Sequence, residues 1–355
     1  MMGRLNRAQM QERNRTTVLA AARVEFAAHG FRETRIDAIA ERAELTRGAV
    51  YSNFPGKRAL YLTVLADDAE HAVDESDPEP GRTARMALGA FARAWVTHLP
   101  LVVDDPSGAA PLGADLLPEV LADHRMRPPF TQLMKLDALV LGLALERLRP
   151  TPSARLVRVA EAALTALHGA GVLSAAAPGF VDPFDVVATC EQLINLAPDD
   201  RWAPPHLPYV GKARPGDAAW TPPPAVDALR AEPARLDGDG VVAVLGLHRL
   251  AAVEEAVRAA PAGAAVTAVV VSGDPVELMP LARLVLAELR RCLRAAVPQA
   301  AWPRLQVVLD ATGALAAAAG IPAVSDATEA AVRITAGRVS ARADGHGACH
   351  AAASA

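Results

Sequence analysis

Cysteine is scarce in this 355-residue sequence, and its three cysteines are widely separated: Cys190, Cys292 and Cys349. An odd and scattered set does not form a disulfide framework, so we expect a reduced, cytoplasmic protein. Long hydrophobic runs are also missing, because the longest uncharged apolar stretches, near residues 138–145 and 264–272, are far too short to cross a bilayer. The chain is charged from Arg4 onward and lacks the apolar core of a signal peptide. We therefore expect no membrane partner.

Signatures of catalysis are missing as well. The sequence holds no Ser/His/Asp constellation and no phosphate-binding loop. Gly238-x-Gly240 is not a dinucleotide-binding fingerprint, because such a motif follows a strand and this one precedes a predicted strand. Zinc ligands occur at His346, Cys349 and His350, but three ligands in a Gly/Ala-rich tail lack a second half of the site. We therefore predict no metal site, no cofactor and no enzyme.

The charge is distributed unevenly along the chain. Hydrophobic residues make up 52% and charged residues 21%, which is typical of packed globular domains, and the net charge is −4. Residues 1–58 hold eleven bases and six acids, a net charge of +5, which leaves −9 for the other 297 residues. Residues 1–58 thus form a basic N-terminal segment, called the head below, on an acidic remainder of the chain. This distribution favours a polyanionic partner for the head.

The basic head has the pattern of short helices. Residues 15–29 place apolar side chains one helical turn apart, and Gly30 follows, where a residue able to adopt a left-handed conformation ends a helix cheaply. Thr34 is a predicted N-cap of one short helix, and Thr46 caps a second. Lys57 opens a longer helix after a Pro-Gly pair.

Three segments of the head together resemble the N-terminal domain of TetR-family repressors: Thr17–Phe31, Thr34–Ala43 and Thr46–Leu60. Three helices, their turns and the Tyr-x-x-Phe-x-x-Lys run match in order and spacing. One departure is Glu44, which stands where the family usually has glycine in the turn between the second and third helices.

A short helix with small residues can approach base edges in the major groove, and Arg47 is the residue we expect to contact guanine, through two hydrogen bonds to O6 and N7. Thr46 and Asn53 are expected to contact phosphate or bases. The resemblance implies that Tyr51 and Lys57 clamp the DNA backbone and that Thr34 binds phosphate. The full set of predicted DNA-binding residues is Thr34, Thr46, Arg47, Gly48, Tyr51, Asn53 and Lys57.

The resemblance also implies that the helical middle of the chain forms a homodimer and holds a pocket for a small-molecule effector. Two predicted helices could pair with their copies through an apolar stripe: Leu156, Val159, Ala163, Leu164, Leu167, Val187, Cys190, Leu193 and Ile194. Candidate ligand-binding residues are Trp95, His98, Met126, Phe130 and Met134. The absence of clustered charge favours an apolar inducer.

After Gly240, strands alternate with helices, which predicts a small α/β domain. The run Leu305–Gly313 and the hairpin Ala331–Val339 weakly resemble a thioredoxin-like fold. The redox chemistry of that fold needs a cysteine after the first strand, where this sequence reads Gly246-Leu-His-Arg. The family's oxidoreductase activity is therefore not expected here.

We thus predict a multidomain protein in which all-α TetR-type domains precede a small α/β domain. The predicted parts are a basic arm (1–14), a helix-turn-helix domain (15–62), an all-α dimerisation and ligand domain (63–197), a Pro-rich linker (198–236), the α/β domain (237–345) and a flexible tail (346–355). The Pro-rich segment is either a plain linker or an arm laid across a neighbouring domain, with Trp202 and Trp220 as possible anchors. The predicted function is a ligand-responsive repressor that binds double-stranded operator DNA.

Two alternatives concern the α/β domain. It could be the active part of a redox- or metal-responsive sensor or enzyme, or it could be an interaction module that controls the DNA-binding half. Deletion of residues 235–355 would discriminate between a controlling role and an accessory one.

Overall fold

The computed structural model describes residues 7–72, 79–97, 116–149, 155–196, 200–205 and 210–355. Four helices form the head: α1 (Arg7–Glu33), α2 (Ile36–Arg42), α3 (Arg47–Tyr51) and α4 (Lys57–His71). Helix α1 begins inside the predicted basic arm, because residues 8–12 are mostly good helix formers. Gly30, with a φ of 70°, interrupts the helical geometry near the end of α1, at the predicted position.

The helical body consists, in the described residues, of five further helices: α5 (Ala84–Val96), α6 (Leu116–Ala122), α7 (Arg127–Arg147), α8 (Val157–Ala176) and α9 (Pro183–Leu193). These confirm the predicted all-α middle. By length and composition alone, α8 could cross a membrane, although 39% of its apolar window is buried. Because apolar helices of this length also occur in the cores and interfaces of helical proteins, this observation is weak evidence for a membrane span.

The C-terminal lobe is built on a six-stranded sheet with the order β1-β8-β7-β4-β5-β6. Its strands are β1 (Arg214–Ala219), β4 (Gly240–Gly246), β5 (Ala265–Val271), β6 (Leu305–Leu309), β7 (Glu329–Thr335) and β8 (Arg338–Asp344), and a separate hairpin pairs β2 (Val226–Asp227) with β3 (Glu232–Pro233). Strands β4, β5 and β6 are parallel, whereas β7 and β8 form an antiparallel hairpin beside β4. The lobe's helices are α10 (Val253–Ala259), α11 (Pro275–Ala296), α12 (Ala314–Ala318) and α13 (Ala348–Ala353).

Of the two alternatives for the Pro-rich segment, its second half follows the arm and belongs to the C-terminal lobe. Strand β1 pairs with β8 at the edge of the sheet, where Pro215 costs no internal ladder bond. Trp220 is buried, and its indole Nε1 donates a hydrogen bond to the carbonyl of Leu236 at 2.6 Å. The many prolines obscured this strand in the sequence.

The predicted flexible tail is also a folded element. Residues 348–353 form α13, in which Cys349 is completely buried against the sheet. Gly345 and Gly347 adopt φ values of 86° and 79° and thereby turn the chain from β8 into this helix. The alanines that suggested low complexity are good helix formers and small enough to pack closely on a sheet.

The helical body and the C-terminal lobe share one hydrophobic core. Helix α11 packs along α4 and α5, and residues 59–66 of α4 are buried without interruption. Charged pairs join the body to α10 of the lobe: Arg155 donates to both carboxylate oxygens of Glu254 at 2.6 Å, and Arg258 donates to both oxygens of Glu146 at 2.8 Å. The lobe is therefore part of the packed body and is not tethered to it by a linker alone.

Two carboxyl groups lie at this shared core, the buried Asp137 and the partly buried Glu288. Burial raises the pKa of Asp137 on α7 well above its usual value, and the charge of Glu288 on α11 raises it further. Burial raises the pKa of Glu288 to about 7, and the nearby Arg291 opposes that rise. At neutral pH, the contact between α7 and α11 thus holds carboxyl groups that resist ionisation.

We expect Glu288→Gln to stabilise the protein at alkaline pH. The folded-state pKa of Glu288 lies above its ordinary value of 4.5, so its stabilising contribution is complete below about pH 4.5 and declines as pH rises through 7. At pH 8 the variant should gain about 2–3 kcal/mol of unfolding free energy. Urea unfolding at pH 5.5 and 8 measures this, with the exposed Glu161→Gln as control. Equal pH dependence in wild type and Glu288→Gln would refute the assignment.

Candidate nucleic-acid interface

The turn between α2 and α3 contains the residue that departs from the family pattern. Glu44 has a φ of 53°, in the left-handed region. Leu45, next to it, donates its backbone N–H to the carbonyl of Ala40 at 2.9 Å, which closes the turn. The geometry explains why glycine is favoured here, because a Cβ atom in this conformation is strained.

Glu44→Gly is expected to raise the unfolding free energy by about 0.5–1 kcal/mol, because relief of the strain outweighs the entropy that glycine adds to the unfolded chain. Denaturant midpoints measure the gain. Glu44→Ala is the matched control, since it removes the charge but keeps the Cβ atom, and its stability should stay close to wild type. A gain of equal size in Glu44→Ala would assign the effect to charge.

Helix α3 is short, capped and anchored from below. The Thr46 hydroxyl accepts a hydrogen bond from the backbone N–H of Ala49 at 3.2 Å, which confirms the predicted N-cap. Val50 is buried beneath the helix, whereas Arg47, Gly48 and Tyr51 lie exposed on its outer face. A Cβ atom on Gly48 would meet nothing closer than the Thr46 hydroxyl at 3.8 Å, so the fold itself leaves this face open.

The guanidinium of Arg47 lies over the Tyr51 ring, 5.6 Å from its centroid. It also pairs with Asp37 of α2 at 3.4 Å, and both side chains are more than 60% exposed. The hydrogen bond with Tyr51 and the charge of Asp37 raise the pKa of Arg47. An exposed pair of this kind is worth little, so Arg47 can exchange Asp37 for another acceptor.

The predicted phosphate contacts at Thr34 and Lys57 have partners within the protein. Thr34 is only 2% exposed, and its hydroxyl donates to the carbonyls of Gly30 at 2.7 Å and Glu25 at 3.1 Å. It is not the N-cap of α2, since Arg35 occupies that position without a side-chain cap bond. The Lys57 ammonium donates to the carbonyls of Arg32 and Thr34 at 3.1 Å each. Of these two residues, Lys57 alone carries a charge, and it lies half-buried near the surface.

Asn53 is half-buried just beyond α3, and its side-chain amide donates to the carbonyl of Ala49 at 2.8 Å. Arg15 on α1 donates to the backbone carbonyl of Asn53 at 3.4 Å, and its guanidinium lies 4.5 Å from the centroid of the Phe54 ring. The sequence alone does not reveal this contact, because it joins residues 38 positions apart.

The predicted ligand residues are brought together only in part. Trp95 and Phe130 both pack edge-on against the ring of His168 on α8, at centroid distances of 4.7 and 6.1 Å. Met126 is fully buried, Met134 packs against the main core, and His98 lies outside the described residues. Sequence reasoning missed His168, whose only signal was a lone histidine on an apolar helix.

Burial lowers the pKa of His168 to about 4, so this imidazole is neutral at physiological pH. Its Nε2 atom has no hydrogen-bond partner among the described residues. The Trp95, Phe130 and His168 cluster is therefore apolar, with one free polar atom.

Among solved structures, a TetR transcriptional regulator from Rhodococcus sp. RHA1 is 18% identical and aligns over 53% of this chain and 99% of its own, with a TM-score of 0.34. Another transcriptional regulator from Rhodococcus sp. RHA1 is 21% identical over 51% of this chain and 94% of its own, with a TM-score of 0.31. The fatty acid degradation regulator FadR from Bacillus halodurans is 15% identical over 53% and 97%, with a TM-score of 0.25.

No curated protein matches the sequence. Residues 18–64 match the family described as bacterial regulatory proteins, tetR family. The match coincides with the segment from α1 to α4 that presents the exposed face of α3. The chain therefore carries a TetR-family N-terminal helix-turn-helix domain at residues 18–64.

Proposed function

We propose that this protein is a sequence-specific DNA-binding transcription regulator, a ligand-responsive repressor that acts as a homodimer on a pseudo-palindromic operator. The observation that carries the proposal is the outer face of α3, where Arg47, Gly48 and Tyr51 are exposed on a helix fixed from below by Val50. A short, rigid helix with a small residue at its centre fits the major groove. The net charge of +5 on residues 1–58 supports the same partner.

Arg47 is the proposed base-reading residue, because a guanidinium free to leave an exposed ion pair can donate two hydrogen bonds to guanine. Tyr51 and Thr46 flank it on the same helix and are proposed backbone contacts. Lys57 contributes charge beside the groove, whereas Thr34 can offer DNA only its backbone, since its hydroxyl is turned inward.

The proposed homodimer uses a different face from the apolar stripe considered above. Leu156, Val159 and Leu167 are core residues of one protomer. Large apolar side chains are instead exposed at the end of α8 and the start of α9: Val172, Leu173, Phe180 and Phe184. This set, the α8–α9 patch, is proposed to pair with its copy and place the two α3 helices about one turn of DNA apart.

The C-terminal lobe supports a thioredoxin-like assignment by its topology: parallel β4 and β5 joined through α10, with the β7–β8 hairpin beside β4. A redox role has no support in its cysteines. Cys292 and Cys349 are completely buried, and burial raises the pKa of the Cys349 thiol, with further contributions from Glu329 and Glu255. A buried, protonated thiol is a poor nucleophile, so we propose a non-enzymatic, controlling role for this lobe.

Arg47→Ala should abolish sequence preference at one base position of each half-site, at a cost of roughly 1–3 kcal/mol in operator binding. The measurement is salt-dependent binding to DNA from upstream of the protein's own gene. Lys57→Ala is the contrasting variant. It should weaken binding to all DNA sequences alike and reduce the slope of log affinity against log salt concentration by about one. Specific binding that neither variant alters would place the DNA contact elsewhere, and absence of specific binding by wild type would overturn the function.

A further inference from the structure

A cavity of about 620 Å³ lies where the helix leading out of the DNA-binding domain meets the C-terminal lobe. Glu70 and His71 at the end of α4 form one wall, and α11 forms the second. The segment 223–226 and the turn from β6 into α12 complete it. The volume is within the range of sites for small molecules.

Most of the lining is apolar. The side chains that carry this character come from the Pro-rich segment, α11 and α12: Pro223, Pro224, Val226, Leu286 and Leu315. Such a surface favours the hydrocarbon part of a ligand over a fully polar one.

Most of the charged groups in the lining already have partners. Arg283 donates to both carboxylate oxygens of Glu70, at 2.9 and 2.6 Å. The carboxylate of Asp310 accepts hydrogen bonds from the backbone N–H groups of Ala314 at 3.0 Å and Ala316 at 2.9 Å. Glu70 is therefore held in an ion pair with Arg283, whereas Asp310 is held by neutral donors and keeps its charge.

Arg290 is the exception. Its guanidinium makes two long contacts, to the carbonyls of Ala228 and Glu70 at 3.4 Å each, and no carboxylate of the described residues forms an ion pair with it. Burial and the charge of Arg294 lower the pKa of Arg290, and the charge of Glu70 opposes this in part. A half-buried cation with only weak neutral acceptors is incompletely satisfied, and an anion in the cavity would supply the missing partner.

We propose that this cavity is an effector site for an anionic amphiphile, whose carboxylate pairs with Arg290 and whose apolar part lies against Pro223, Val226 and Leu286. The site is distinct from the Trp95, Phe130 and His168 cluster in the helical body.

Occupancy of the cavity would act on α4 directly. Arg283 also donates to Asp67 of α4 at 2.7 Å, and Tyr61 on the same helix packs against Phe26 and Phe31 of α1 at centroid distances of 5.0 Å. A ligand between α4 and α11 therefore bears on the helix that supports the DNA-binding domain, and its differential affinity for the two positions of α4 sets the change in operator binding. This regulatory step rests on the proposed function, whereas ligand binding does not.

Calorimetric titration of the full-length protein with decanoate, and with the uncharged 1-decanol, tests the site. Arg290→Gln should weaken decanoate binding about ten- to a hundred-fold and leave decanol binding unchanged. Arg304→Gln, at an exposed arginine outside the lining, is the matched control and should bind decanoate as wild type does. Val226→Asp, at an exposed position that tolerates substitution, should weaken both probes.

Absence of decanoate binding to wild type, or equal binding to wild type and Arg290→Gln, would overturn the site. Operator binding with and without decanoate is measured separately. A protein that binds no operator but loses decanoate affinity in Arg290→Gln would contradict the regulatory function and still establish the site.

Discussion

Removal of residues 235–355 should unfold the helical body instead of leaving an intact DNA-binding protein. Residues 59–66 of α4 are buried on every side, with the head covering one face and α11 covering another. A helix that is apolar all round is stable only inside a core, and each large side chain exposed by the deletion loses about 1.5–3 kcal/mol. Several such losses equal the whole stability of a domain, which is about 5–15 kcal/mol.

Thermal unfolding followed by circular dichroism compares the 1–234 fragment with the full chain. We expect the fragment to lack a cooperative transition, and co-expression with residues 235–355 to restore it. The co-expressed pair is the control that separates loss of packing from a harmful new chain end. A 1–234 fragment that unfolds cooperatively near the full-chain midpoint would show that the lobe is an independent module. The sequence had suggested this deletion as a test of an accessory domain, but the shared core makes it a test of folding.

Features determined by local interactions could be predicted from the sequence. The cap at Thr46 and the strained turn at Glu44 each depend on a few neighbouring residues, and the structure has both where the sequence placed them. The family pattern over residues 18–64 was also recognisable, because it consists of short helices and turns that follow one another closely in the sequence.

Features determined by distant contacts were not predictable. The inward turn of the Thr34 hydroxyl depends on carbonyls of α1, and the burial of α13 depends on a sheet assembled from strands far along the chain. Periodicity likewise could not show which apolar face of α8 meets the protomer's own core. The residues it singled out are internal, and Phe180 and Phe184, near the turn into α9, were not selected because they break the helical repeat.

The α8–α9 patch leads to the second large expected effect: Phe184→Asp should convert a dimer into monomers. Phe184 is 84% exposed in the single chain, so the substitution removes little packing within one protomer and should leave its stability nearly unchanged. In a two-fold interface both copies lose the contact, about 3–6 kcal/mol together, which weakens dimerisation roughly 100- to 10,000-fold. A monomer holds only one α3 helix, so operator affinity should fall with it.

Sedimentation velocity and operator binding measure the two effects on the same preparation. Val276→Asp is the matched control, because it places the same charge on another exposed apolar residue, at the start of α11 and outside the patch. Wild type and Val276→Asp should remain dimeric and bind the operator alike. Phe184→Asp should sediment as a monomer and retain only the weak, salt-sensitive binding of one basic head. A dimeric Phe184→Asp with wild-type operator affinity would move the interface away from α8 and α9 and leave these exposed phenylalanines without a role in assembly.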